Sequence, residues 1–161
     1  MNIHSLRSPG LLIICIVLPL FAGVAGSFPT LSSIPTWYTG LIKPPLTPEP
    51  WVFGPVWTTL YILMGISLYL VVREGIRNNP ARLGTMLFAG QLVVSVLWSF
   101  AFFGLRSPVS GLATILILIV LVLATMYYFY RVSRIAALLL VPYIAWICIA
   151  TYLNYMIMIL N

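Results

Sequence analysis

The chain has 161 residues, of which 62% are hydrophobic and only 6% charged, with a mean hydropathy of +1.11. That composition describes surface facing lipid and excludes a solvated globular enzyme domain. The formal net charge of +6 sits at the borders of apolar runs and is not gathered on one face, which excludes a nucleic-acid partner.

The first apolar run, 11–29, follows Arg7 and holds Pro19, Gly23 and the small residues "AGVAGS". A cleavable signal shares these features, but the run exceeds a usual signal core and is read as a retained transmembrane helix. A stretch rich in Trp and Pro follows. Four intervals then contain no Asp, Glu, Lys or Arg: 50–72, 83–105, 107–130 and 135–161, holding 23, 23, 24 and 27 residues. About 20 apolar residues cross roughly 30 Å of hydrocarbon, so each interval spans a bilayer, with helices predicted over 51–76, 82–105, 108–131 and 135–159. "ATILILIVLVLATMYY" lacks the period-two alternation of a barrel strand. The expected fold class is an all-α membrane protein: a five-transmembrane-helix bundle forming one domain over 1–161. Pro55, Pro108 and "NNP" at 78–80 mark helix starts or turns, while Pro19 and Pro142 predict kinks.

Arg7, Arg73, Arg77, Arg82, Arg131 and Arg134 fall on one side of such a bundle, against Lys43 and Arg106 on the other. The positive-inside rule then predicts a cytoplasmic N-terminus and an outward-facing first loop. Cys15 and Cys148 lie within apolar runs and read as small buried residues, not a disulfide.

Catalytic chemistry of the common hydrolytic kinds has little to work with. The acids are Glu49 and Glu74, both at helix borders, and the single histidine, His4, is in the N-terminal tail. No metal site and no obligatory cofactor are expected. Ion-coupled transport usually leaves an intramembrane charge, and these spans carry none. Their polar residues are neutral: Thr58, Thr59, Gln91, Ser95, Ser99, Thr114, Thr151 and Asn154 either hold helices together or bond a ligand.

"WYTGLIKPPLTPEPWVFGPVWTTLY", 37–61, carries three of the five tryptophans. Proline fixes its own backbone and restricts its predecessor, so the segment is stiff and loses little entropy on docking. It reads as a lid with a short helix around Trp37 to Leu41. For Trp37, Tyr38 and Trp51 an aromatic belt at headgroup level fits as well.

Other tryptophans lie deeper. By helical rise, Trp57 is roughly 10 Å and Trp98 roughly 12 Å from the loop-side ends of their helices, and Trp146 roughly 22 Å from the C-terminus. Tyr61 shares the face of Trp57; Ala150 and Asn154 share that of Trp146. A cavity lined by Trp57, Tyr61, Trp98, Trp146 and Asn154, opening toward the Pro-rich loop, is the expectation; plain aromatic core packing is the alternative. Such a cavity suits a flat apolar molecule on which indole and phenol rings can stack. Ala81, Thr85 and Ala89 form a small-residue stripe that suits either a homodimer interface or packing within one bundle.

The runs "WYTGLIKPP", "PWVFGPVWTTLY", "GQL", "WSFAFFG" and "PYIAWICIATYLNY", in that order from about Phe21 to Tyr155, resemble the TspO/MBR family. The resemblance implies five transmembrane helices, frequent dimerisation through the third, and a pocket closed by the first loop that takes porphyrins, sterols and benzodiazepine-type ligands. For a porphyrin so implied, Lys43 and Arg106 would pair with its propionates, unless those cations only anchor headgroups; with no histidine in the spans, the axial ligands on offer to haem are Cys148 and Tyr61, so metal-free porphyrin should bind about as well. It draws Trp37, Tyr38 and Tyr143 into the ligand-binding set beside Trp57, Tyr61, Trp98, Trp146, Ala150 and Asn154. Some members convert bound protoporphyrin photochemically, a role that would fall here to Trp57 and Trp146. The chain departs from the family pattern at Leu46, Ser95 and Thr114, and "LNYMIMILN" lacks the basic residue of the cholesterol pattern. Three functions follow: a porphyrin-binding receptor or carrier, a light-dependent porphyrin-degrading enzyme, and a partner-docking membrane protein.

Overall fold

A computed structural model describes residues 9–161; His4 and Arg7 lie outside the described residues. Its helices are α1 (Pro9–Ser33), α2 (Pro50–Val72), α3 (Asn79–Ser99), α4 (Pro108–Val132), α5 (Arg134–Leu138) and α6 (Val141–Leu160). Five spans are long and apolar enough to cross a membrane, α5 and α6 together forming the fifth. No more than 39% of any span's apolar window is buried inside the protein, so most of its hydrophobic surface is left for lipid.

Side-chain oxygens set several helix starts. Asn78 accepts from the Ala81 N–H at 2.9 Å, Ser107 from Ser110 at 3.2 Å and Ser133 from Ala136 at 3.3 Å, each at an N-cap. Prolines follow in the first turns of α2, α3, α4 and α6, where a missing N–H costs nothing. Pro142 therefore does not bend one long helix; it opens α6 after a break at Leu139–Leu140. At the far end of α2 the helix stops at Val72, short of the expected 76, where Gly75 takes φ +92°.

Helix α1 runs past its expected end at Pro29 to Ser33. Prolines at 19 and 29 each remove a backbone donor, and near the second Ser27 donates to Val24 O (2.7 Å) and Thr30 to Gly26 O (3.1 Å).

The third span ends in a π-helical turn, Phe100–Gly104, closed by Leu105 N donating to Phe100 O at 2.8 Å. That turn buries Phe102 and Phe103 together. The Ser33 hydroxyl donates to the Phe103 carbonyl at 2.7 Å, fixing the end of α1 to it. Tyr38 heads a short 3-10 helix, Tyr38–Gly40, close to the predicted one, and is buried against Phe103 at 5.7 Å. Asn161 exchanges hydrogen bonds with both backbone groups of Ile42 at 3.0 and 3.1 Å, tying the first loop to the end of α6.

Helices α3 and α4 pack along Gly84, where a Cβ would stand 2.8 Å from Phe129, and along the stacked pair Phe88–Phe129 at 5.7 Å. Ala81 belongs to this internal seam and has no exposed surface. Thr85 is half-buried and Ala89 exposed, so the stripe expected to face a second copy is split between the core and lipid. Of the cysteines, Cys15 is buried as expected, but Cys148 is exposed on α6.

Candidate functional site

Helices α1 and α2 approach most closely through two glycines. A Cβ on Gly65 would lie 2.5 Å from the Ile16 Cα, and one on Gly23 would collide with the Tyr61 ring. Toward the first loop the two helices leave between them a cavity of about 740 Å³, with α3 as its third wall. Gly23, Ser27 and Thr30 line it from α1; Phe53, Trp57 and Tyr61 from α2; Ser95, Trp98 and Ser99 from α3, and Phe103 from the π-helical turn that follows it. Tyr38 closes in from the loop and Trp51 from the first turn of α2, and exposed Val24 and Leu31 place the mouth on the lipid-facing side of α1.

Two aromatic stacks build the walls. Trp57 lies over Tyr61 at 5.5 Å and 26°, and Trp98 over Phe102 at 5.8 Å and 19°. These pairs present broad π surfaces with few polar atoms. The Trp98 ring is held in place by its Nε1–H, which donates to Asn154 Oδ1 at 3.3 Å, while Asn154 Nδ2 donates to the Pro108 carbonyl at 2.6 Å. Asn154 thus joins α3, α4 and α6. Replacing it by leucine strands a buried N–H and a carbonyl, which should cost about 2 kcal/mol. Thermal unfolding in detergent checks this, and an unchanged midpoint would show that the link carries no stability.

The predicted residues divide into two groups. Tyr38, Trp57, Tyr61 and Trp98 stand on the cavity walls. Trp146 does not: it packs edge-on against Phe53 at 5.9 Å, behind the α2 wall. Tyr143 is fully buried behind Trp57, 6.3 Å away, Ala150 is half-buried on α6 off the wall, and Trp37 packs on Phe102 at 5.5 Å outside the lining. The expected wall from the fifth span is supplied instead by α1. Helical spacing shows which residues share a face, not which neighbour that face meets. The run "AGVAGS" was the available signal: small side chains at 22–27 leave the α1 wall open.

Lys43 Nζ sits 4.7 Å above the Tyr38 ring and reaches the Leu41 carbonyl at 3.4 Å, at the cover of the cavity. Burial pushes the Tyr38 phenol above its ordinary pKa, keeping it neutral beneath that cation. Arg106 is exposed, in the left-handed region at φ +53°, and is not on the wall. Among the described residues no three His, Cys, Asp or Glu come together as metal ligands. Cys148 points away from the cavity, leaving Tyr61 as the one wall residue with an oxygen of the phenolate kind near its deep end.

Against this geometry the sequence comparisons are specific. The profile of the TspO/MBR family matches residues 15–160. The chain belongs to the TspO/MBR family. It is 45% identical over 150 residues to the tryptophan-rich protein TspO of Chlorobaculum tepidum, covering 93% of this chain and 95% of that one. The TspO of Archaeoglobus fulgidus is likewise 45% identical, over 93% and 96% of the two chains. The human translocator protein is 43% identical over 120 residues, 74% of this chain and 71% of its own. As a TspO/MBR member the chain is a multi-pass membrane protein of five spans, and the α1–α2–α3 cavity lies wholly inside the matched region.

Proposed function

We propose that the protein is an integral membrane receptor or carrier that binds porphyrins and related flat hydrophobic ligands in the α1–α2–α3 cavity and serves tetrapyrrole handling, transport or stress signalling. The observation that carries this reading is a cavity of about 740 Å³ whose walls include the Trp57–Tyr61 stack and Trp98, itself stacked on Phe102 behind it, and whose lining holds no carboxylate, amine or imidazole. Ligand pockets for flat organic molecules are of this size and this apolar character. The names of the relatives, translocator and sensory protein, fit a protein that holds and passes on a small molecule. A macrocycle between Trp57 and Trp98 would place its propionates toward Lys43 at the cover, with Arg106 beyond it. Haem gains at most a Tyr61 ligand, so protoporphyrin IX and haem should bind with similar affinity.

Titrating the purified protein with protoporphyrin IX in darkness tests the reading: saturable quenching of Trp emission at micromolar ligand is expected, and none would end it. Replacing Lys43 and Arg106 together by glutamine should weaken binding about fivefold, consistent with two solvent-exposed charge pairs; unchanged affinity would remove the propionate pairing and leave the cavity reading standing. A second reading, light- and oxygen-dependent conversion of the bound porphyrin, is favoured by the indole of Trp57 facing the space a ligand would occupy. Illumination of the saturated complex then yields a new pigment, and Trp57→Phe suppresses it while affinity falls no more than about fivefold. A homodimer along α3 would meet at Ala89, Met86 and Val93, which are exposed, and not at Ala81.

A further inference from the structure

The deep end of the cavity adjoins a polar group of side chains that the bundle leaves unsatisfied. Gln91 on α3 and Tyr143 on α6 are both fully buried. Neither the amide nitrogen nor the amide oxygen of Gln91 has a hydrogen-bond partner, and the Tyr143 hydroxyl has none. Burying such atoms among hydrocarbon is costly, and native structures usually resolve it with ordered water or a bound group. Ser95 connects them to the cavity: it follows Gln91 by one turn on the same face of α3, lies on the cavity wall, and stands beside the phenols of Tyr61 and Tyr143.

We propose that Ser95 on the cavity wall, with Gln91 and Tyr143 buried behind it, forms a polar seat at the deep end, filled by water when the cavity is empty, whose water gives way to the amide or lactam edge of a flat ligand. The proposal rests on the cavity being the ligand site and specifies what kind of ligand edge enters first. A primary amide offers one acceptor and two donors, and the phenol and serine hydroxyls each offer both. A lactam presents an N–H and a C=O side by side, the complement of Gln91. A carboxylate is the wrong partner, because the membrane spans carry no cation to compensate it at this depth. Charged groups of the ligand therefore stay at the Lys43 end, and its neutral hydrogen-bonding edge points inward. Among tetrapyrroles this favours an open-chain form, with lactam rings opposite its propionates, over a closed porphyrin whose opposite edge carries only vinyl and methyl groups.

Two readouts separate this from a purely structural Gln91. In nanodiscs, the side-chain amide of Gln91, assigned by its loss in Gln91→Met, should receive magnetisation from a long-lived bound water. Its absence from the ligand-free protein overturns the hydrated seat, whatever binds. Equilibrium binding of biliverdin and protoporphyrin IX to wild type, Gln91→Met and Tyr143→Phe forms the other arm. Biliverdin affinity should fall about tenfold in each variant while protoporphyrin affinity stays within twofold. Equal losses for both ligands, or none, overturn the seat as a ligand subsite. If wild-type protein binds neither ligand, the cavity reading and the ligand subsite fail together, and the water signal still decides whether the seat is hydrated.

Discussion

Gly65→Ala should destabilise the protein by about 3 kcal/mol, lowering its unfolding midpoint by roughly 10 °C. The added methyl would meet the Ile16 Cα at 2.5 Å and the Cys15 carbonyl at 2.8 Å. Both are backbone atoms of α1, which no rotamer change can move aside. Relief requires α1 and α2 to separate, and the separation would propagate to Gly23 and Tyr61 at the base of the cavity. Gly90→Ala is the matched control: it is also within a span, a Cβ there meets nothing within 4 Å, and the change should be neutral or stabilising by about 0.5 kcal/mol. Equal midpoints for the two variants in a detergent unfolding assay would show that α1 and α2 are not held at that contact.

The same glycines explain how far the sequence could be read. Charge-free intervals and hydropathy are properties of one helix and its solvent, so five spans were legible, as were the starts at Pro108 and at "NNP", 78–80; Pro55, also read as a start or turn, lies inside α2, which begins at Pro50. Which spans touch is a property of pairs. Trp57, Tyr61 and Trp98 were legible as deep aromatics and do meet at one cavity. Trp146 and Asn154 have equal depth and the right helical phase, yet α6 meets the back of the α2 wall and the tip of Trp98. Nothing in their spacing separates a wall residue from one that supports a wall. The α1 contribution was hidden because Gly23, Ser27 and Thr30 have little side chain to signal a site; what they provide is room. Ala81 and Ala89 show the same limit within a single stripe, one buried in the core and one exposed.

That distinction between wall and support makes the ligand prediction sharp. Trp57→Ala should weaken protoporphyrin IX binding by about 2 kcal/mol, roughly thirtyfold, because it removes the indole that both faces the cavity and stacks on Tyr61 at 5.5 Å. Trp57→Phe keeps a ring in that place and should lose no more than about fivefold, near 1 kcal/mol. Trp146→Ala acts elsewhere. It deletes the edge contact to Phe53 at 5.9 Å, so the unfolding midpoint should fall while affinity changes less than about threefold. Measuring both quantities for both variants gives a crossed pattern: affinity lost with Trp57, stability lost with Trp146. A ligand whose affinity depends more on Trp146 than on Trp57 would have to lie against α6, in a place the present bundle fills with Phe53 and Tyr143, and the cavity between α1, α2 and α3 would then not be where it binds.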